Sequence, residues 1–126
     1  MAISAAIRRL VRARAGNCCE YCRVSQDELP FATFHVEHIV ARQHQGSDDE
    51  MNLCLACHWC NFNKGTNIAT IESGTLVALY NPRANVWSAH FEQRRELIVG
   101  LTAMGRATAA LLQFNDDERR QLRIGR

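Results

Sequence analysis

Two short cysteine turns constrain this chain more than any other feature. Cys19-Glu-Tyr-Cys22 and Cys57-His-Trp-Cys60 each set two thiols three positions apart. A turn of that size brings two thiolates to one metal ion, and two such turns complete a tetrahedral shell of four sulfurs. Zinc is the ion that favours such a shell. With every position filled by protein it has no room for a substrate, so it is structural and contributes directly to folding. Cys54-Leu-Ala-Cys57 is an alternative second knuckle. We favour Cys57 and Cys60, because Cys54 lies in an apolar run with Leu53 and Leu55, where a free cysteine behaves as a small buried hydrophobe. Cys18 has no partner at motif spacing and gets the same reading, and His58 is a substitute zinc ligand inside the second knuckle. The 34 residues between the knuckles exceed zinc-ribbon spacing, so a further element is inserted there.

Paired cysteines point to metal rather than disulfides in a reducing compartment. The N-terminal MAISAAIRRLVRARAG interrupts its apolar residues with arginines and lacks the continuous apolar segment of a signal peptide, so the cytoplasm is the expected location. No apolar run approaches the roughly 18 residues of a membrane span, and no membrane partner is expected. At 126 residues, one α+β domain over 1–126 is expected. It would comprise a basic helix over 1–17, the knuckles and core over 18–66, and an extension over 67–126. The net charge of +2 says little, but Arg8, Arg9, Arg12 and Arg14 all precede the first acid, Glu20. Such a cluster suits a polyanion, or is simply a solvated helix face.

Apolar periodicity predicts a helix over 3–15, with Ser4 near its N-cap and Gly16-Asn17 stopping it. Phe31 to Val40 and Met51 to Ala56 have strand composition, separated by the turn chemistry of QGSDDE. HWCNFNKGT fits a short helix closed by Gly65. TLVALYNPR, NVWSAHFE and ELIVGLT read as a short β meander, followed by helices over 102–114 and NDDERRQLR. The last helix places acids first and arginines last, as the helix dipole prefers.

The inserted segment carries the chemistry. Residues 35–65 read HVEHIVARQHQGSDDEMNLCLACHWCNFNKG. In order they hold Glu37-His38, Gly46-Ser47, Asn52-Leu53 and a C-x-x-C-N-x-x-K-G signature from Cys57 to Gly65. This combination resembles the HNH endonuclease family, and RAGNCCEYC looks like its N-terminal knuckle. YNPR, W-x-x-HF and GRAT (Tyr80–Arg83, Trp87, His90-Phe91, Gly105–Thr108) resemble a bacterial subgroup of small stand-alone HNH proteins. The resemblance implies a ββα-metal core: a hairpin and a helix clasping one divalent cation, Mg²⁺, Mn²⁺ or another. It implies hydrolysis of DNA, with RNA left open as a substrate. By position, His38 would be the general base and Glu37 and Asn61 the cation ligands. Neighbours on an extended strand point to opposite faces, so Glu37 and His38 serve one site only if the strand ends or bends there. Asn52 would orient the His38 loop, and Lys64 would contact the phosphate backbone. One site cuts one strand, so double-strand cleavage would need a dimer or two encounters. The arginine helix (Arg8, Arg9, Arg12) and the C-terminal segment would add phosphate contacts mainly independent of sequence. The chain departs from the family in Glu37, where Asp is common. It also has Ala41 and Gln45-Gly46 in place of the usual proline and double glycine.

Other readings stand beside these. His35 is an accessory ligand or a strand-surface histidine, and His44 a phosphate contact or a solvated loop residue. Asn63 rivals Asn61 for the cation. Trp87 and His90 are packing residues by default, while Arg83 and Arg106 bind DNA or form ion pairs. The rival function is a non-catalytic zinc-binding nucleic-acid module. The intact set Glu37, His38, Asn52 and Asn61 favours the enzyme. A cysteine-based redox protein lacks a thioredoxin-like βαβ context.

Overall fold

In the computed structural model, which describes residues 3–124, helix α1 runs Ala5–Arg14. Ser4 caps it by accepting the Ile7 N–H at 3.2 Å, and Gly16 and Asn17, both at positive φ, turn the chain away. Val11 is fully buried. Arg12 and Arg14 reach inward to backbone carbonyls. Arg12 donates to Phe34 at 3.0 Å, and Arg14 donates to Glu50 at 3.0 Å and Leu53 at 2.8 Å.

Strand β1 (His35–His38) pairs antiparallel with β2 (Leu53–Ala56), in a register that sets Glu37 opposite Cys54 and His38 opposite Leu53. Every residue of β2 is buried. Glu20, inside the first knuckle, docks against it: its N–H donates to the Leu55 carbonyl, and its carboxylate accepts the Leu55 N–H, both at 2.8 Å. A single residue, Cys57, then joins β2 to helix α2 (His58–Lys64), which ends at Gly65 with φ 53°.

The chain divides into two compact units, Met1–Phe62 and Asn63–Arg126, and the boundary falls within α2. The second unit has two separate hairpins, β3 (Ala69–Glu72) with β4 (Thr75–Ala78), and β5 (Phe91–Arg94) with β6 (Leu97–Gly100). Between them lies a helical turn, α3 (Trp87–His90). Helix α4 (Ala103–Leu111), capped by Thr102, packs on β6, and α5 (Asp117–Arg123) follows. Asn115 acts as a strand mimic: its side chain accepts the Ile98 N–H and donates to the Ile98 carbonyl, both at 2.9 Å. Among the described residues no helix is long and apolar enough to cross a membrane.

The molecule is therefore a mixed α and β structure with small sheets, as expected, but four details differ. The expected meander is two independent hairpins, because Trp87–His90 winds into a helical turn rather than extending. Strand β3 is an addition to the expected elements. The strand expected over Phe31–Val40 shrinks to four residues, with Phe31 fully exposed in the preceding loop. Met51 and Asn52 likewise belong to a 3-10 turn (Glu50–Asn52) started by the Asp49 side chain, which accepts the Met51 N–H at 2.8 Å.

Candidate functional site

Four cysteines converge. The Sγ atoms of Cys19, Cys22, Cys57 and Cys60 all lie within 4.8 Å of one another, and those of Cys22 and Cys57 are 3.8 Å apart. A tetrahedron with metal–sulfur bonds of about 2.3 Å has sulfurs about 3.8 Å apart, so the cluster fits zinc. Each knuckle is closed by a backbone N–H aimed at sulfur, Cys22 to Cys19 at 3.5 Å and Cys60 to Cys57 at 3.4 Å. Burial, and then the neighbouring thiols, push Cys19 and Cys60 well above the ordinary thiol range. Four such groups ionise together only around a cation. This is a candidate structural zinc site, and its second knuckle is Cys57 and Cys60. Cys54 lies elsewhere, its thiol 3.6 Å from both the Tyr21 hydroxyl and a Glu37 carboxylate oxygen. His58 is outside the sulfur cluster, its ring against Trp59 and its buried Nδ1 without a hydrogen bond among the described residues.

Glu37 and His38 are the last two residues of β1, and their side chains meet different partners. Glu37 is 8% exposed and faces Cys54 and Tyr21. Burial, followed by the charges of Cys54 and Glu37, pushes the Tyr21 phenol well above its usual range, so it remains a neutral donor. His38, at the end of the strand, is half-buried, with Nε2 2.7 Å from the Asp48 carboxylate. Arg42 Nε meets the same oxygen at 3.0 Å. The His38 contact, then Arg42, holds the Asp48 carboxyl below its usual range.

Asn52 braces the turn that follows His38. Its amide oxygen accepts the Val40 N–H at 3.0 Å, and its amide nitrogen donates to the carbonyls of Val40 at 2.9 Å and Ser47 at 2.8 Å. Gly46 completes the turn where a Cβ would sit 1.7 Å from the Val40 carbonyl oxygen. Asn61 lies on α2, half-buried, and among the described residues no hydrogen bond engages its side chain. Asn63 is committed differently, donating to the Leu112 carbonyl at 3.2 Å.

Residues 19–67, spanning both knuckles, the hairpin and α2, match the family profile described as HNH endonuclease. The chain carries an HNH domain. The match covers less than half of the chain. No curated protein and no solved structure matches it.

Around the HNH domain, the expected basic contacts are distributed unevenly. Lys64 is only 2% exposed, a position that offers no surface for the phosphate contact expected of it. Arg8 and Arg9 lie on the exposed face of α1, whereas Arg12 is tied to the Phe34 carbonyl. His35 is half-buried opposite Ala56, and His44 is exposed in a 3-10 turn. Asp48 and Tyr21 are the site residues that the sequence alone does not single out. The run Ser47-Asp48-Asp49-Glu50 offers three acids, and only the loop geometry shows which one meets His38.

The motifs beyond the HNH domain prove to be packing devices. Thr108 is buried and accepts the Tyr80 N–H at 2.9 Å. Gly105 lets α4 pass the His90 carbonyl, and His90 Nδ1 lies 2.7 Å from the Thr102 hydroxyl. Arg106 forms a two-point ion pair with Glu72 at 2.8 and 3.2 Å.

Proposed function

We propose that the HNH domain is a metal-dependent endonuclease that hydrolyses phosphodiester bonds of DNA, with His38 as general base. The reading is carried by the bracing of the His38 turn: Asn52 binds both polar groups of Val40 and the Ser47 carbonyl, holding the imidazole on a fixed loop. Glu37 and Asn61 would hold one divalent cation, Mg²⁺ or Mn²⁺. A carboxylate and an amide oxygen are the hard donors such an ion takes, with water and phosphate completing its shell. Glu37 is a buried carboxylate in contact with Cys54 and Tyr21, and a buried carboxylate is the kind of group that a cation stabilises. Asn61 suits the second ligand better than Asn63, whose amide serves Leu112. When bound, the cation offsets the charge that develops on the phosphate oxygens.

In this scheme His38 takes the proton of the attacking water, a role worth about 100-fold or more in rate. One site attacks one strand, so the product is a nick unless two sites act together. The exposed Arg8 and Arg9 would supply phosphate contacts independent of sequence. The test is nicking of supercoiled plasmid with Mg²⁺ or Mn²⁺ and its arrest by EDTA. His38→Ala is expected to lower the rate at least about 100-fold while zinc content is unchanged. A variant as fast as wild type would remove His38 from the mechanism. A zinc-loaded wild type that binds DNA but cuts nothing would leave a non-catalytic nucleic-acid module.

A further inference from the structure

We infer that Asp48 is a positioning residue, its carboxylate fixing the ring and the tautomer of the His38 base. The inference rests on the nuclease reading above and extends it to a residue outside the motif that suggested it.

The geometry begins with the 2.7 Å contact between His38 Nε2 and Asp48, ten positions apart on the two sides of one loop. Asp48 is held by its neighbours in the chain. The Ser47 carbonyl accepts from Asn52, and the Asp49 N–H donates to the Ser47 hydroxyl at 3.3 Å. Asp49 in turn accepts the Met51 N–H at 2.8 Å. The Asp48 carboxylate is also turned by Arg42, whose Nε meets the same oxygen. Asp48 is thus fixed from both backbone sides and at its side chain, while Gly46 holds the loop against Val40.

This arrangement has a chemical consequence. A neutral imidazole that donates from Nε2 carries its lone pair on Nδ1, so Nδ1 is the atom that accepts the proton. Without an acceptor at Asp48 the ring loses a short bond that helps to set its rotation, and the fraction of correctly aimed bases falls. Asn52 and Asp48 then have separate roles, since one braces the backbone behind the base and the other aims its ring.

The experiment pairs kinetics with nitrogen-15 NMR of histidine-labelled, zinc-loaded protein. Wild type should show a slowly exchanging Nε2 proton for His38, and Asp48→Ala should lose it. The same variant should lower kcat for plasmid nicking roughly 10- to 100-fold with KM for DNA unchanged, the range typical of groups that orient a reactive side chain. Asp48→Glu keeps an acceptor-only carboxylate and should restore the resonance and part of the rate, whereas Asp48→Asn, whose amide can also donate to Nε2, should not. If Asp48→Ala does not fold, as judged by zinc content and amide dispersion, Asp48→Leu preserves bulk while removing the acceptor. A zinc-loaded Asp48→Ala or Asp48→Leu that nicks at the wild-type rate overturns the inference, as does loss of DNA affinity without loss of kcat. A wild type that cuts nothing overturns the nuclease reading itself, since no rate then exists for Asp48 to affect.

Discussion

Gln45 has φ 69°, left-handed backbone that a side chain adopts only at a cost. The αL conformation costs an L-residue about 1–2 kcal/mol. Glycine offsets roughly 0.5–1 kcal/mol of that through the extra freedom of the unfolded chain. The difference predicts that Gln45→Gly stabilises the protein, by up to about 1 kcal/mol, measured by urea unfolding of zinc-loaded protein. Its neighbour Gly46 has no such latitude, because a Cβ there would strike the Val40 carbonyl. At this scale the sequence is informative about groups whose identity is the signal. His38 and Asn52 stand out by type and order, and the Asn52 amide binds both polar groups of Val40. Asp48 is not legible, because adjacent Asp49 has the same side chain and serves as a turn cap instead. Which carboxylate points toward an imidazole depends on backbone dihedrals that composition does not encode.

Helix α4 comes close to its neighbours because of two small residues. A Cβ at Gly105 would lie 2.1 Å from the His90 carbonyl oxygen, and one at Gly100 would lie 2.3 Å from the Arg106 nitrogen. Alanine normally improves a helix interior by about 1 kcal/mol over glycine. Here the clash is with backbone and cannot be relieved by a rotamer change, so overpacking of roughly 1–3 kcal/mol or more outweighs that gain. Gly105→Ala is expected to lower the melting temperature, and an unchanged or raised midpoint would contradict the close approach. Helices α1, α2, α4 and α5 are legible from different signals: the Ser4 cap and Gly16-Asn17 stop for α1, Gly65 after α2, the apolar pattern of α4, and the acids-first, arginines-last order of α5. The segment NVWSAHFE reads as a strand because its aromatics suit one. Yet Trp87 and Phe91, four positions apart, stack with centroids at 5.2 Å, a spacing that a helical turn supplies. β3 escapes notice because Ile71 and its partner Leu76 are both exposed, so burial on a core face does not set its pattern.

Across the whole molecule, charge is used differently from what a count suggests. Arg12 and Arg14 bind carbonyls in the first unit. Arg119 and Arg123 are buried in the second, donating to the carbonyls of Leu112, Gln113 and Phe114 that end α4. A sequence shows how many guanidinium groups exist but not which carbonyls lack partners, so structural arginines pass for a nucleic-acid surface. The zinc knuckles belong to the unit Met1–Phe62. Chelating zinc from intact protein should therefore abolish amide-exchange protection in β1 and β2 while β5, β6 and α4 retain theirs. Simultaneous loss throughout would show that the second unit does not hold alone. Zinc content near one ion per chain is the accompanying expectation, and none would refute the site. Closing a loop of this size is worth about 3–4 kcal/mol by the arithmetic used for covalent cross-links. The closure makes the intervening chain a ring, and rings tolerate growth: each doubling of length costs only about 0.6 kcal/mol. Phe31, wholly exposed between Glu28 and Phe34, marks the open arc of that ring. A further segment could be grafted there while the braced loop and its histidine stay as they are.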